Sequence, residues 1–301
     1  MIGLDSVARA WNAFFHASEP AHTIALFRIL LGALLVVNAL LFRRDARFWI
    51  GPAGVLARDH YVDMYRHSPL TVFRYLPAAD LSVDIVLGIH IVAACCLSLG
   101  IVTPWSAGVA WLTLASLHHR NPLVTYGADE VMRIMTFLLV FSRAGQVLSV
   151  DHWWAQRSGN GVAPDDAAGT AWCTRLMQLQ VSIVYFQAFL SKFSGRTWLE
   201  GTAAYYAAEG PKYRRARLPR LARTLVGSRV MTWGTMTVEC ALGPFVWIRE
   251  LRPAVLISAI VMHLGMEVFM NLHLFGPTMM VCLTLFIDPH TVARWAASLN
   301  L

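Results

Sequence analysis

TIALFRILLGALLVVNALL, residues 23–41, carries one charge, Arg28, in an otherwise apolar run. A helix needs about 20 mostly apolar residues to cross the hydrocarbon layer of a bilayer, so this stretch reads as a membrane span. Further apolar stretches follow at Val83–Gly100, Trp105–Leu117, Glu130–Val150, Ala171–Leu190, Val230–Ile248, Pro253–Met270 and Leu272–Ile287. Thr103 and Pro104 read as a cap and first-turn proline opening the third stretch. Gly243–Pro244 reads as a bend in the sixth, and Asp288–Pro289 ends the eighth. The expected fold is an all-α integral membrane protein, a bundle of about eight transmembrane helices with no internal repeat.

Composition agrees. The 301 residues are 56% hydrophobic and 14% charged, with a mean hydropathy of +0.51, too little charge and too much continuous apolar sequence for a soluble domain of this length. The net charge of +7 is mostly arginine lying between apolar spans. That distribution speaks against nucleic acid and for membrane lipids with anionic headgroups. Cys95, Cys96, Cys173, Cys240 and Cys282 all fall in apolar stretches without CxxC spacing, and read as small core residues.

Met1–Ser18 lacks the apolar core of a cleavable signal peptide. Leu4, Val7, Ala8, Trp11, Phe14 and Phe15 instead recur at helical spacing opposite Asp5, Arg9, Asn12 and His16. The segment reads as an amphipathic helix, either lying on the membrane surface or packed on the bundle. The expected organisation is an interfacial helix over 1–20, a transmembrane domain over 21–290 and a short tail over 291–301. Two long connections, Phe42–Ser82 and Phe193–Arg229, are rich in arginine and aromatics and read as interfacial loops. With eight spans both lie opposite the N-terminus, so arginine counting alone places that side in the cytoplasm.

Polar residues inside spans are costly and need a partner or a task. On the fifth span Arg175, Gln178, Ser182, Tyr185 and Lys192 recur at helical steps and share one face with Phe189. This row lines a substrate pocket or an interhelical seam. Lys192 is either a reactive amine or a side chain reaching the interface. On the seventh span His263, Glu267 and Asn271 are four apart, placed for a buried hydrogen-bonded pair or a proton relay; no HExxH-like pattern supplies a metal set. A third group, His118, His119, Arg120 and Asn121, then Asp129, Glu130 and Arg133, brackets the start of the fourth span. It either anchors that helix end or handles an anionic or proton-transferring substrate.

These residues carry a resemblance. His118-His119-Arg120-Asn121-Pro122-Leu123, Gly127-Ala128-Asp129, the run from Gln178 through Tyr185-Phe186 to Lys192-Phe193, and Trp198-Leu199-Glu200-Gly201-Thr202 are similar to the HTTM ("horizontally transferred transmembrane") domain. That domain is shared with vitamin K-dependent γ-carboxylases. Phe48 to Leu56 and His263-Leu264-Gly265-Met266 add to the match, which covers nearly the whole chain in order. The resemblance implies a domain that binds reduced vitamin K or a similar quinone, with Lys192 as the base that starts its oxygenation. Such a base must be a neutral amine, a form that a dry site favours. The sequence departs from the carboxylases in three ways. Pro122 stands where a functional histidine is expected, Lys192 lies one residue further from Trp198, and no large extramembrane domain follows the spans. The resemblance implies a cytoplasmic N-terminus, and this is preferred because an interfacial basic loop does not obey the arginine count.

The leading expectation is a bacterial cytoplasmic-membrane enzyme acting on a lipophilic isoprenoid or quinone-like molecule by lyase- or oxygenase-type chemistry, on a peptide or small-protein substrate where carboxylation is the outcome. Lys192 is the base, Arg175, Gln178, Ser182 and Tyr185 line the pocket, and His263–Glu267 moves protons. A variant is acid catalysis on an isoprenoid by Asp129, Glu130 or Glu267. A rival of another class is a non-enzymatic scaffold in toxin or peptide maturation or immunity. A transporter ranks third, for want of an internal repeat.

Overall fold

The computed structural model describes residues 4–56, 71–159 and 169–299. Arg58, Asp59, Tyr61, Asp63, Tyr65 and Arg66, part of the expected first interfacial loop, lie outside the described residues. The described part is all-α apart from a short pairing of Ser18–Glu19 with Gly169–Thr170 and an isolated bridge between Arg214 and Met270. Among the described residues, three helices are long and apolar enough to cross a membrane: His22–Arg43, Asp80–Leu99 and Arg252–Phe269. The chain divides into two compact units, Met1–Arg175 with Ile287–Leu301, and Leu176–Phe286.

In the first unit α1 (Leu4–Phe15) precedes α2 (His22–Arg43), α3 (Ala46–Ile50), α4 (Asp80–Leu99), α5 (Thr103–Arg120), α6 (Gly127–Val140) and α7 (Val150–Arg157); α14 (Pro289–Ser298) returns to it. On α1, Trp11 remains 59% exposed and Val7 55%, so protein does not cover that apolar face. Helices α2 and α4 run antiparallel. Ala39 near the end of α2 packs with Val83 and Val86 near the start of α4, while Ser98 Oγ at the far end donates to the Ile29 carbonyl at 2.9 Å. Gly32 makes that approach possible: a Cβ there would stand 2.6 Å from the Ser98 backbone nitrogen, the close contact that small residues permit between membrane helices.

Gly100, at φ 73°, then turns the chain. Contrary to the expected side-chain cap, Thr103 lies inside α5, whose N-cap is Val102 in a left-handed conformation. Pro104 does occupy the first turn, where the missing N–H costs nothing. The fourth apolar stretch also differs from expectation. Helix α6 ends at Val140, not Val150, because Ser142 Oγ turns back to the Leu139 carbonyl and Ser149 restarts the chain as N-cap of α7. The residues read as a tail form α14, capped by Asp288 and burying Val292 and Ala296.

In the second unit follow α8 (Trp172–Ser191, entering from the first unit), α9 (Arg196–Glu200), α10 (Ala203–Glu209), α11 (Leu225–Leu242), α12 (Arg252–Phe269) and α13 (Phe275–Leu283). The Gly243–Pro244 bend is an end: α11 stops at Leu242 and a 3₁₀ turn covers Phe245–Trp247. The last apolar stretch is shorter than read, nine helical residues and a 3₁₀ turn at Thr284–Phe286. The basic connection is partly helical, and its Arg215 N–H reaches the Phe269 carbonyl at 2.9 Å.

Candidate functional site

The polar row on α8 is resolved, residue by residue, into bonds to other elements. Gln178 Nε2 donates to the Leu285 carbonyl at 2.7 Å. Ser182 Oγ accepts from the Trp247 indole at 3.1 Å. Tyr185, 3% exposed, shares a 2.7 Å hydrogen bond with His263 Nε2. Directly after α8, at the start of a 3₁₀ turn, Lys192 Nζ lies 2.7 Å from Glu239 Oε1 and 2.6 Å from Oε2, and donates to the Ala188 carbonyl at 3.1 Å. The amine also stands 4.8 Å from the centroid of the Trp198 ring, a cation–π contact. Both members of the pair are nearly buried, Lys192 at 12% and Glu239 at 9% exposure of the side chain. Arg175 goes elsewhere: it pairs with Glu19, and its Nε reaches the Phe14 carbonyl at 3.3 Å within the first unit.

Glu239 is the partner of Lys192 that sequence reasoning passed over. A carboxylate in the middle of Val230–Ile248 is as costly in lipid as the lysine, and that cost was the signal available. His263 and Glu267 share a helix face without a hydrogen bond between them among the described residues. His263 takes Tyr185, and Glu267 Oε1 pairs with Arg215 of the basic connection at 2.8 Å. Among the described residues no three His, Cys, Asp or Glu side chains converge as a metal set.

The third group does assemble, inside the first unit. His118 Nε2 lies 3.7 Å from Asp129 Oδ1, and Asp129 Oδ2 accepts the Tyr126 N–H at the start of α6 at 3.1 Å. Arg133 pairs with Glu130 and stands 3.4 Å from His119 Nε2. Arg120 and Asn121 face the opposite way. Arg120 donates to the Leu56 and Gly51 carbonyls at 2.9 and 3.2 Å, and Asn121 to Trp49 at 2.9 Å. These two residues hold the Trp49–Leu56 turn against α5; their hydrogen-bonding groups satisfy backbone that would otherwise be buried without partners.

Chemically the arrangement on α8 is an amine beside a carboxylate, against an aromatic face, with a phenol–imidazole pair in the same unit.

A family model described as the HTTM domain matches residues 15–290. Among curated relatives, Uncharacterized protein YitO of Bacillus subtilis (strain 168) is 26% identical over 187 residues, covering 60% of this chain and 59% of that protein. Sporulation-delaying protein SdpB of the same organism is 22% identical over 280 residues, covering 89% of this chain and 81% of SdpB. The match to YitO thus spans less than two thirds of that protein's length. No solved structure matches.

Proposed function

This chain belongs to the HTTM family, and from that premise we propose that it is a membrane-embedded enzyme of γ-carboxylase-like type. In this reading about eight helical segments form the bundle in the cytoplasmic membrane, with the N-terminus in the cytoplasm and α1 on the membrane surface. The substrate is a lipophilic isoprenoid or quinone-like molecule, and Lys192 takes a proton from it. The observation that carries the reading is the nearly buried Lys192–Glu239 pair beside Trp198. An amine, an acid that can hold the displaced proton and a flat aromatic face suit a hydroquinone hydroxyl and its ring, so the residues fit a reduced quinone. When bound, that group supplies the reducing electrons for oxygen. The protein's own residues supply the rest. Lys192 accepts the proton, Glu239 orients the amine and relays the proton, and Tyr185–His263 lies in the same unit to continue the transfer.

The test uses protein purified in nanodiscs, supplied with reduced menaquinone and oxygen, with oxygenated quinone read by mass spectrometry. Wild type is expected to form product. The double variant K192M/E239L, which removes the buried charges together, is expected to be folded and to form none. Product from the double variant, or none from wild type, overturns the reading.

A second reading is favoured by one observation, the likeness to SdpB along 89% of this chain. Here the bundle is a non-enzymatic scaffold for maturation of a peptide, and the α8 bonds are an interhelical seam. A scaffold keeps its phenotype in K192M/E239L, whereas an enzyme loses it.

A further inference from the structure

A crevice of about 820 Å³ opens in the first unit, among α2, α7 and α14. It is separate from the α8 residues and belongs to neither reading above. Leu26 and Ile29 of α2, Leu99 at the end of α4, and Val292 and Trp295 of α14 supply apolar wall, while His22, His152 and Gln156 supply the polar groups. The volume falls in the range of sites for small lipophilic molecules.

Its depth in the bilayer follows from the helices that line it. Helix α2 begins at His22 and its antiparallel neighbour α4 ends at Leu99, so both contribute the ends that emerge on the same side. The crevice therefore lies at one membrane boundary. Two of its lining tryptophans, Trp153 and Trp295, remain 52% and 51% exposed, and half-exposed tryptophan is the side chain that settles at headgroup level. Leu99 and Leu299 are more exposed still, at 56% and 68%, an apolar surface that protein leaves uncovered.

A cation stands next to this wall. Arg157, one residue beyond the lining Gln156, places its guanidinium 4.8 Å from the ring of the lining Trp153 and forms no ion pair among the described residues. His152 bonds Gln156 at 2.9 Å and stays within the crevice wall. Asp151, at the other end of α7, is the acid of that helix, and its N–H is bonded to the Gly100 carbonyl. The wall itself is braced. Leu148 holds φ 51°, an uncommon conformation for a branched residue, and its carbonyl accepts from Arg28. Strain kept in place by a fully buried guanidinium is of the kind found where a backbone shapes a ligand wall.

We propose that this crevice binds one anionic phospholipid from the adjacent leaflet. An acyl chain lies between Leu26, Ile29, Val292 and Trp295, and the phosphate meets His22, His152 and Arg157. The experiment takes the full chain, delipidated in detergent, and titrates it with dioleoyl phosphatidylglycerol or dioleoyl phosphatidylcholine, reading bound lipid by native mass spectrometry. Wild type is expected to hold one phosphatidylglycerol about tenfold more tightly than phosphatidylcholine. Ala296→Phe, which fills the crevice, is expected to weaken both lipids. Arg157→Glu, at an exposed position safe for folding, is expected to abolish the preference and leave phosphatidylcholine unchanged. Equal binding of the two lipids by wild type, or an unchanged preference in Arg157→Glu, overturns the proposal. Undiminished binding in folded Ala296→Phe does the same.

Discussion

Lys192 and Glu239 hold each other where neither is tolerable alone. Removing one member of a nearly buried ion pair leaves the other uncompensated, at a cost of about 3–5 kcal/mol, whereas replacing both with apolar groups of similar size is close to neutral. Lys192→Met and Glu239→Gln are therefore each expected to lower the thermal midpoint in detergent clearly, and K192M/E239L to recover most of it. Arg28 is a different case, wholly buried with its two terminal nitrogens on the carbonyls of Leu97, Ser98 and Leu148. Arg28→Met strands those carbonyls and is expected to cost roughly 3 kcal/mol in the same measurement. The polar members of the α8 row were legible because each stands out in apolar sequence. Their partners were not. Spacing reports neighbours on one helix, and His263 and Glu267 are such neighbours, but their side chains turn to Tyr185 and Arg215 on other elements.

At the scale of elements, the antiparallel fit of α2 on α4 rests on the absence of a side chain at Gly32. A Cβ there would meet the backbone of Ser98, which has no room to yield. Gly32→Leu is expected to force the helices apart and destabilise the protein by about 1–3 kcal/mol or more, read as a lower thermal midpoint together with new protease cutting in the Gly100–Thr103 turn. Long apolar runs announced α2, α4 and α12 correctly. Helix ends were less legible, because they depend on where a side chain caps the backbone. Ser142 halts α6 ten residues before the apolar composition runs out at Val150, and the final stretch read over Leu272–Ile287 holds the nine residues of α13 and one 3₁₀ turn.

For the whole molecule, membrane residence follows from greasy helices that water cannot solvate. The antiparallel α2–α4 pair adds a topological consequence: Asp45, just after α2, and Ser158, just after α7, belong to opposite sides of the bilayer. In a cysteine-free background, Asp45→Cys and Ser158→Cys are expected to react with a membrane-impermeant maleimide from opposite faces of sealed vesicles. Labelling of both from one face would contradict the arrangement of the first unit. The solvent in which this protein folds, its helical class and its family were already legible in the chain, since length, hydropathy and motif order are properties read in one dimension. It took the folded molecule to show that Lys192 meets Glu239, that the terminal nitrogens of Arg28 meet carbonyls, and that an amphipathic crevice opens beside α14. Those contacts join residues far apart in the chain, and in a membrane the cost of an unpaired polar group says that a partner must exist without saying which one.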